Sequence, residues 1–302
     1  MKAVLALGGN ALLRRGERLD AEVQRRNVVR AARAVAEVAR RHTVILTHGN
    51  GPQVGLLALQ AEAYREVEAY PLDVLGAESE GMIGYLLAQE LRNELPAREI
   101  AVLLTQVLVD LADPAFAHPQ KPIGPLYGER EARELAERRG IQVAPDGDGW
   151  RRVVPSPRPY GILELETIRR LVEAGVVVVC GGGGGIPVAR DADGRLHGVE
   201  AVIDKDRFAA RLAHELAADV LVLLTDVDAV YADWPARREP VRCTVTDDIR
   251  RLDLGAGSMA PKVEAACDFV ESGGVRAAIG VMQDALALVE GERGTQIEIE
   301  PC

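Results

Sequence analysis

Lysine is nearly missing from this chain. Of its 36 basic residues only Lys2, Lys121, Lys205 and Lys262 are lysine, and arginine fills every other basic position. Aromatic residues make up 4%, so a core has to be built from aliphatic side chains and alanine, for which a hydrophobic content of 48% is ample. The four cysteines, Cys180, Cys243, Cys267 and Cys302, form no CxxC pair; they read as reduced, mostly buried thiols of a cytoplasmic protein. The five histidines show neither HxxxH nor HExxH spacing, which leaves no zinc signature. No apolar run approaches membrane-spanning length, and the run from Ala3 to Leu7 stops at Gly8, too short for a signal peptide. Three common site signatures are missing as well. Without GxxxxGKS/T there is no P-loop, without GxGxxG a dinucleotide-binding fold has little support, and without GxSxG there is no nucleophile elbow. A net charge of −10 argues against a broad nucleic-acid surface and against binding to anionic membranes, but not against a small local cluster of positive charge.

Where arginine is accepted at position after position, a remaining lysine is a candidate for a task that needs a compact, mobile ammonium and not a planar fork. Lys121 lies in a proline- and glycine-rich context, Lys262 follows Ala260-Pro261, and Lys205 stands between Asp204 and Asp206. Lys2, next to the first methionine, has no such surroundings. Lys205 closes the stretch around which the chain is organised. That stretch opens with four valines, Val176 to Val179, then Cys180, five glycines from Gly181 to Gly185, and Ile186-Pro187-Val188. A β-branched run bounded by glycine reads as a strand buried on both faces. Glycines directly after it would let backbone N–H groups approach a ligand, which in an α/β sheet lies beyond the carboxyl ends of the strands.

The same punctuation recurs along the chain. A first strand, 2–7, runs into Gly8-Gly9-Asn10, and a second, 43–47, runs into His48-Gly49-Asn50-Gly51-Pro52. Such loops offer amide donors to a small carboxylate or phosphate. Apolar residues at helical spacing predict an amphipathic helix over 20–41, with further helices at 56–70, 76–95, 129–139, 163–173, 207–217 and 263–272. Strands are expected at 100–109, 220–224, 276–280 and 295–300. Half of the 16 prolines fall between Pro114 and Pro159, which marks an excursion from the main sheet of the kind that acts as a lid. Strand, glycine-rich loop and helix in repetition predict an open, mainly parallel sheet with helices on both faces, plus a small protruding subdomain at about 112–160. The lobes divide at about 170, into 1–170 and 171–302.

Taken in order, six blocks resemble those of the carbamate kinases, a branch of the amino-acid kinase superfamily. They are Gly8-Gly9-Asn10-Ala11-Leu12, the segment from Thr47 to Val54, Lys121-Pro122-Ile123-Gly124-Pro125, the segment from Arg152 to Pro157, the segment from Glu200 to Asp206, and Gly257-Ser258-Met259-Ala260-Pro261-Lys262. A single block such as Gly-Gly-Asn is weak; the collinear set is specific, and the block around Lys121 separates carbamate kinases from their relatives. The resemblance implies an αβα sandwich of the amino-acid kinase fold. It implies reversible phosphorylation of carbamate by ATP to carbamoyl phosphate, with ADP to ATP as the metabolic direction. It further implies Mg2+ carried mainly on the nucleotide phosphates of ATP or ADP, with no protein ligand assigned to the metal, and a homodimer.

By the same resemblance, Lys205 and Lys262 hold the transferring phosphoryl group, Asp206 positions them, and Lys121 is brought in by the insertion. Gly8, Gly9, Asn10, Gly49, Asn50 and Gly51 surround the acceptor. Gly181, Gly182, Asp204, Asp226, Val227, Tyr231, Gly257, Ser258 and Met259 belong to the nucleotide side. Two positions depart from the wider pattern: Ala6 stands where many superfamily members, though not carbamate kinases, place a lysine, and Ala260 stands where glycine is frequent. Chemically, a carboxylate acceptor is already a nucleophile, so no catalytic base is required. Catalysis reduces to positioning and to neutralising charge on the phosphoryl group, with Asp204 and Asp206 expected to keep Lys205 protonated and aimed.

Overall fold

Leucine, valine and alanine runs without polar alternation become strands covered on both faces. In the computed structural model, which describes residues 1–13, 17–18, 20–63, 69–232, 239–254 and 259–300 without the side chains of Asn10 and Glu62, eight such strands form the main sheet. Its spatial order is Cys243–Val245, Thr295–Glu298, Arg276–Val281, Val220–Thr225, Lys2–Leu7, Thr43–His48, Val177–Cys180 and Ile100–Leu103. The last six are mutually parallel, and Thr295–Glu298 runs antiparallel to Arg276–Val281 at one edge. The register places Leu5 beside Leu46 on one side and Val222 on the other.

Alternate residues of each strand feed two separate cores, as the two-residue period of a strand requires. Leu5, Leu7, Leu46 and Val222 pack with Val28, Ala31 and Val35 of helix Ala21–Ala39 and with Ile83 and Leu87 of helix Leu72–Glu94. Val4, Ala6, Ile45, Val178 and Leu221 pack on the opposite face with Phe208 and Leu212 of helix Lys205–Glu215 and with Ala265 and Phe269 of helix Met259–Glu271. The expected αβα layering is therefore present. Small alanines on these helices let them lie close to the sheet, which explains how a chain so poor in aromatics fills its interior. No described helix is long and apolar enough to cross a membrane.

Two expectations are corrected. The run 100–109 is not one strand. It divides into Ile100–Leu103 in the main sheet and Gln106–Val109, which joins Leu196–Gly198, Ile186–Arg190 and Pro159–Ile162 in a second, four-stranded sheet. The break falls at Leu104 and Thr105, because Thr105 turns its N–H to the Glu80 carboxyl and folds its hydroxyl back onto the Leu103 carbonyl, where it also accepts from the Gly181 N–H. The second correction concerns the cysteines. Cys180 and Cys267 are free and buried, but Cys243 is disulfide-bonded, which the absence of a CxxC pair does not exclude; Cys302 lies outside the described residues.

The proline-rich excursion contains its own three-stranded sheet, Lys121–Tyr127, Gly149–Val154 and Gln142–Asp146, covered by helix Glu129–Arg139. Arg133 of that helix stacks over the Trp150 ring at 4.9 Å. The excursion is seated on the main body. Ile123 and Val154 share an apolar cluster with Val54, Leu72, Leu75 and Val202, and an added Cβ on Gly55 would lie 2.1 Å from the Gly124 Cα. Only two glycines permit that backbone approach, and Gly124 also adopts φ +76°.

Candidate active site

Three of the four lysines converge at the carboxyl rim of the parallel strands. Helix Lys205–Glu215 starts there, capped by Asp204, whose Oδ1 accepts from the N–H groups of Asp206 at 2.9 Å and Arg207 at 3.2 Å. Lys205 is the first residue of that helix, and Lys262 lies in the first turn of helix Met259–Glu271. Cations at helix N-termini are disfavoured by the helix dipole and have to be offset by negative charge. Asp206 supplies it: its Oδ1 accepts from Lys205 Nζ, and its Oδ2 accepts from Lys262 Nζ at 3.0 Å. Lys121 reaches across from the excursion and donates to Asp204 Oδ2 at 2.5 Å. The result is a chain of alternating charge, Lys121–Asp204 beside Lys205–Asp206–Lys262. Lys2 stands apart and donates to the Leu216 carbonyl at 2.6 Å.

This differs from the arrangement read in the sequence, in which both carboxylates hold Lys205. Asp204 instead pairs with Lys121, and Asp206 serves two ammonium groups at once. The reason is helical geometry: Asp204 is the cap and faces back toward the excursion, whereas Asp206, inside the first turn, faces the neighbouring helix.

Burial shapes the electrostatics. Lys205, Asp206 and Lys262 are 8%, 4% and 7% exposed. Burial alone would raise the Asp206 carboxyl, but Lys205 and Lys262 outweigh it and hold Asp206 below the usual carboxylate range. Burial would likewise raise Asp204, and Lys121 overrides it, so Asp204 is held far below that range. For Lys205 burial wins over Asp206, and its ammonium gives up a proton more readily than an ordinary lysine.

The loops around this chain of charge fit together through glycine. The Gly8 N–H donates to the Leu224 carbonyl at 3.1 Å, and the Gly49 N–H to the Leu7 carbonyl at 3.0 Å. A Cβ on Gly49 would come within 3.1 Å of the Gly9 nitrogen, so the Gly8–Gly9 and Gly49 loops lie back to back, while Gly51 faces open space. Asn50 turns inward and donates to Ser79 Oγ at 2.8 Å. The side chain of Asn10 is outside the described residues.

The five-glycine run behaves differently from a bare ligand cradle. All five glycines are buried. The Gly181 N–H donates to Thr105 Oγ1 at 2.9 Å and the Gly182 N–H to Glu80 Oε1 at 2.8 Å, so these two donors are engaged by protein. A Cβ on Gly181 would strike Phe208, on Gly182 His48, on Gly183 Asn50, and on Gly184 the Ile203 carbonyl. The run is a turn onto which four site elements are pressed.

On the remaining rim, strand Val220–Thr225 delivers Asp226, which is exposed and accepts from Thr225 Oγ1 at 3.2 Å. Val227 is half-buried beside it. Tyr231 donates its hydroxyl to Asp228 Oδ1 at 2.7 Å. Met259 opens the helix that carries Lys262 and packs on the core; Gly257 and Ser258 lie outside the described residues. No group of three or more His, Cys, Asp or Glu able to hold a metal ion occurs among the described residues.

Sequence reading missed Ser79, Glu80 and Thr105. All three are fully or almost fully buried, and all three bind the site loops from beneath. The signal was a carboxylate beside a serine on the apolar face of a helix, where an ionisable group has no reason to be unless something engages it.

The geometry defines a class: an α/β protein that gathers ammonium groups and glycine loops at the carboxyl rim of a parallel sheet. The model of the amino acid kinase family matches residues 1–280, and the chain belongs to that family. Within it, the chain is 53% identical to the carbamate kinase of Rhizobium meliloti (strain 1021), over 98% of this chain and 93% of that protein. It is 50% identical to the carbamate kinase of Haemophilus influenzae, over 98% and 96%. Among solved structures, a carbamate kinase from Giardia lamblia bound to citric acid superposes with a TM-score of 0.93 at 39% identity, covering 99% of this chain and 98% of that one. The same Giardia enzyme bound to AMP-PNP superposes at 0.88 and 40% identity, with coverage of 99% and 98%.

Proposed function

We propose that this chain is a carbamate kinase that transfers a phosphoryl group reversibly between ATP and carbamate, and that it makes ATP from carbamoyl phosphate and ADP in the cell. The single observation that carries the reading is the convergence of Lys121, Lys205 and Lys262 on two carboxylates beside the Gly8-Gly9 and Gly49 loops. A carbamate oxygen attacks the γ-phosphorus, the bond from that phosphorus to the β–γ bridging oxygen breaks, and the electron pair leaves on ADP. The acceptor is already a carboxylate, so no proton has to be removed by a base.

The protein's part is positioning and charge. Lys205 and Lys262, fixed by Asp206, neutralise the phosphoryl oxygens as they pass between donor and acceptor. Lys121 is parked on Asp204 and exchanges that partner for the acyl phosphate. Gly9, Asn50 and Gly51 border the small acceptor, with the Gly8 and Gly49 N–H groups tying their loops to the Leu224 and Leu7 carbonyls, and Asp226, Val227, Tyr231 and Met259 border the nucleotide. The carboxylates nearest the lysines are already committed to them, so Mg2+ would be held mainly by the nucleotide phosphates and would supply charge neutralisation there. The working unit is a cytoplasmic homodimer.

The test is ATP formation from ADP with a panel of acyl phosphates. Carbamoyl phosphate is expected to be used far better than acetyl phosphate or an amino-acid acyl phosphate. A preference for the last would move the chain to another branch of the family.

A further inference from the structure

Resting on the phosphoryl-transfer reading, we propose that Glu80 is a positioning residue for catalysis, acting through the Gly181–Gly185 turn. Glu80 lies in the middle of helix Leu72–Glu94 and is 1% exposed. Its Oε1 accepts from the Gly182 N–H at 2.8 Å, and its Oε2 accepts from the Thr105 N–H at 3.3 Å. One carboxyl thus bridges the glycine turn to the point where the chain leaves the main sheet. Ser79, its neighbour, accepts from Asn50 of the acceptor loop. Two consecutive residues of one helix therefore clamp two loops of the site from below.

The turn passes this constraint on. Ile203, whose carbonyl sits against Gly184, immediately precedes Asp204-Lys205-Asp206. Phe208, whose ring sits against Gly181, is one turn further along the helix that Lys205 begins. A shift of Gly182 would have to displace His48, Asn50, Ile203 or Phe208, because there is no room for even a methyl group between them. A turn with so little slack positions the lysines only if it is itself pinned, and its pins are Glu80 and Thr105.

The chemistry of the pin is titratable. Burial pushes the Glu80 carboxyl up to about 8, against the pull of the Gly182 and Thr105 N–H groups. The groups facing it are Thr105 from the sheet exit, Glu164 from the segment before helix Leu165–Glu173, Cys180 at the end of its strand, and His48 across Gly182. Burial lowers His48 to about 4 and raises the Cys180 thiol, so both are neutral across the working range. Glu164 is the one neighbouring charge that opposes ionisation of Glu80.

The experiment is Glu80→Gln, which keeps the shape but presents an amide NH2 to one of two N–H donors. Wild-type ATP formation from carbamoyl phosphate is established first; its absence would remove this proposal together with the reading it rests on. With activity present, the variant is expected to lose about tenfold or more in kcat while KM for ADP stays within about twofold. The wild-type pH profile of kcat is expected to contain a one-proton ionisation near 8 that the variant lacks. A merely structural role would lower the melting temperature and leave that profile unchanged. Wild-type kcat with superimposable pH profiles overturns the proposal. Should Glu80→Gln fail to fold, Thr105→Val removes the Gly181 anchor and is expected to give the same kcat-selective loss; wild-type kcat there overturns it equally.

Discussion

Asp206→Asn isolates the charge of one carboxylate without changing its size. In the folded protein that carboxylate stands between two buried ammonium groups, accepting from Lys205 and, at 3.0 Å, from Lys262. Solvent does little to screen the loss, since all three side chains are almost fully buried. Removing one partner from a buried ion pair costs about 3–5 kcal/mol when the other charge stays in place. The protein has a cheaper response. Burial already lowers the Lys205 pKa against the opposing effect of Asp206, so without that carboxylate Lys205 gives up its proton more readily still. The site then lacks one of the positive charges that steady the phosphoryl group. Losing a preorganised transition-state partner of this kind corresponds to a fall of about 10²–10³ in kcat. The assay is ATP formation from carbamoyl phosphate and ADP across pH, with a thermal melt to show that the fold persists. Activity of the variant should rise as pH falls, because acid restores the ammonium. A variant within about threefold of wild-type kcat at every pH would refute the account of Asp206 as the common anchor of both lysines.

Three further outcomes are expected. Asp204→Asn loses the charge facing Lys121 but keeps the Oδ1 that caps helix Lys205–Glu215, so kcat should fall while the variant stays more stable than Asp204→Ala, which loses the cap as well; a thermal melt as depressed as that of Asp204→Ala would contradict the split between its two oxygens. Gly55→Ala places a Cβ 2.1 Å from Gly124 Cα, which pushes the excursion off the body at a cost of about 1–3 kcal/mol; KM for carbamoyl phosphate should rise while ADP affinity by calorimetry holds, and an equal loss of both would sink the assignment of the excursion to the acceptor. The third concerns pH and stability. Glu80 binds its proton up to about 8 when folded, against 4.5 as a free side chain, so the folded state holds more protons between those values and stability falls as pH rises through them. The slope is at most about 1.4 kcal/mol per unit. Asp204 and Asp206 act oppositely: their depressed pKa values contribute stability above the ordinary carboxylate range, lost as pH falls below it. Urea denaturation across that window should show the downward slope in the wild type and a flatter one in Glu80→Gln.

Layers, loops and the positions of the three lysines were legible in the chain before any fold was known. Strand, glycine loop and helix are local patterns: a valine run followed by glycine, or a single lysine between Asp204 and Asp206, is visible without knowing what lies opposite. The scarcity of lysine is legible for the same reason, since four lysines can be counted among the basic residues, and three of them meet at one rim. What the sequence could not supply was pairing between segments distant in the chain. It did not reveal that Lys121 meets Asp204 and not Asp206, which depends on the excursion folding back through Gly55 and Gly124. It gave no sign that Ile100–Leu103 and Gln106–Val109 part company at Thr105, because an apolar run has no mark for a change of sheet. Nor did it say what engages Glu80: its place beside Ser79 on the apolar face of a helix is visible, but the partners are not. Only tertiary packing, by closing a glycine turn over that carboxyl and shutting out water, turns it from a surface charge into a buried brace. Local patterns follow from the chain's own covalent periodicity, whereas partners, burial and the pKa shifts they cause exist only once remote segments share the same space.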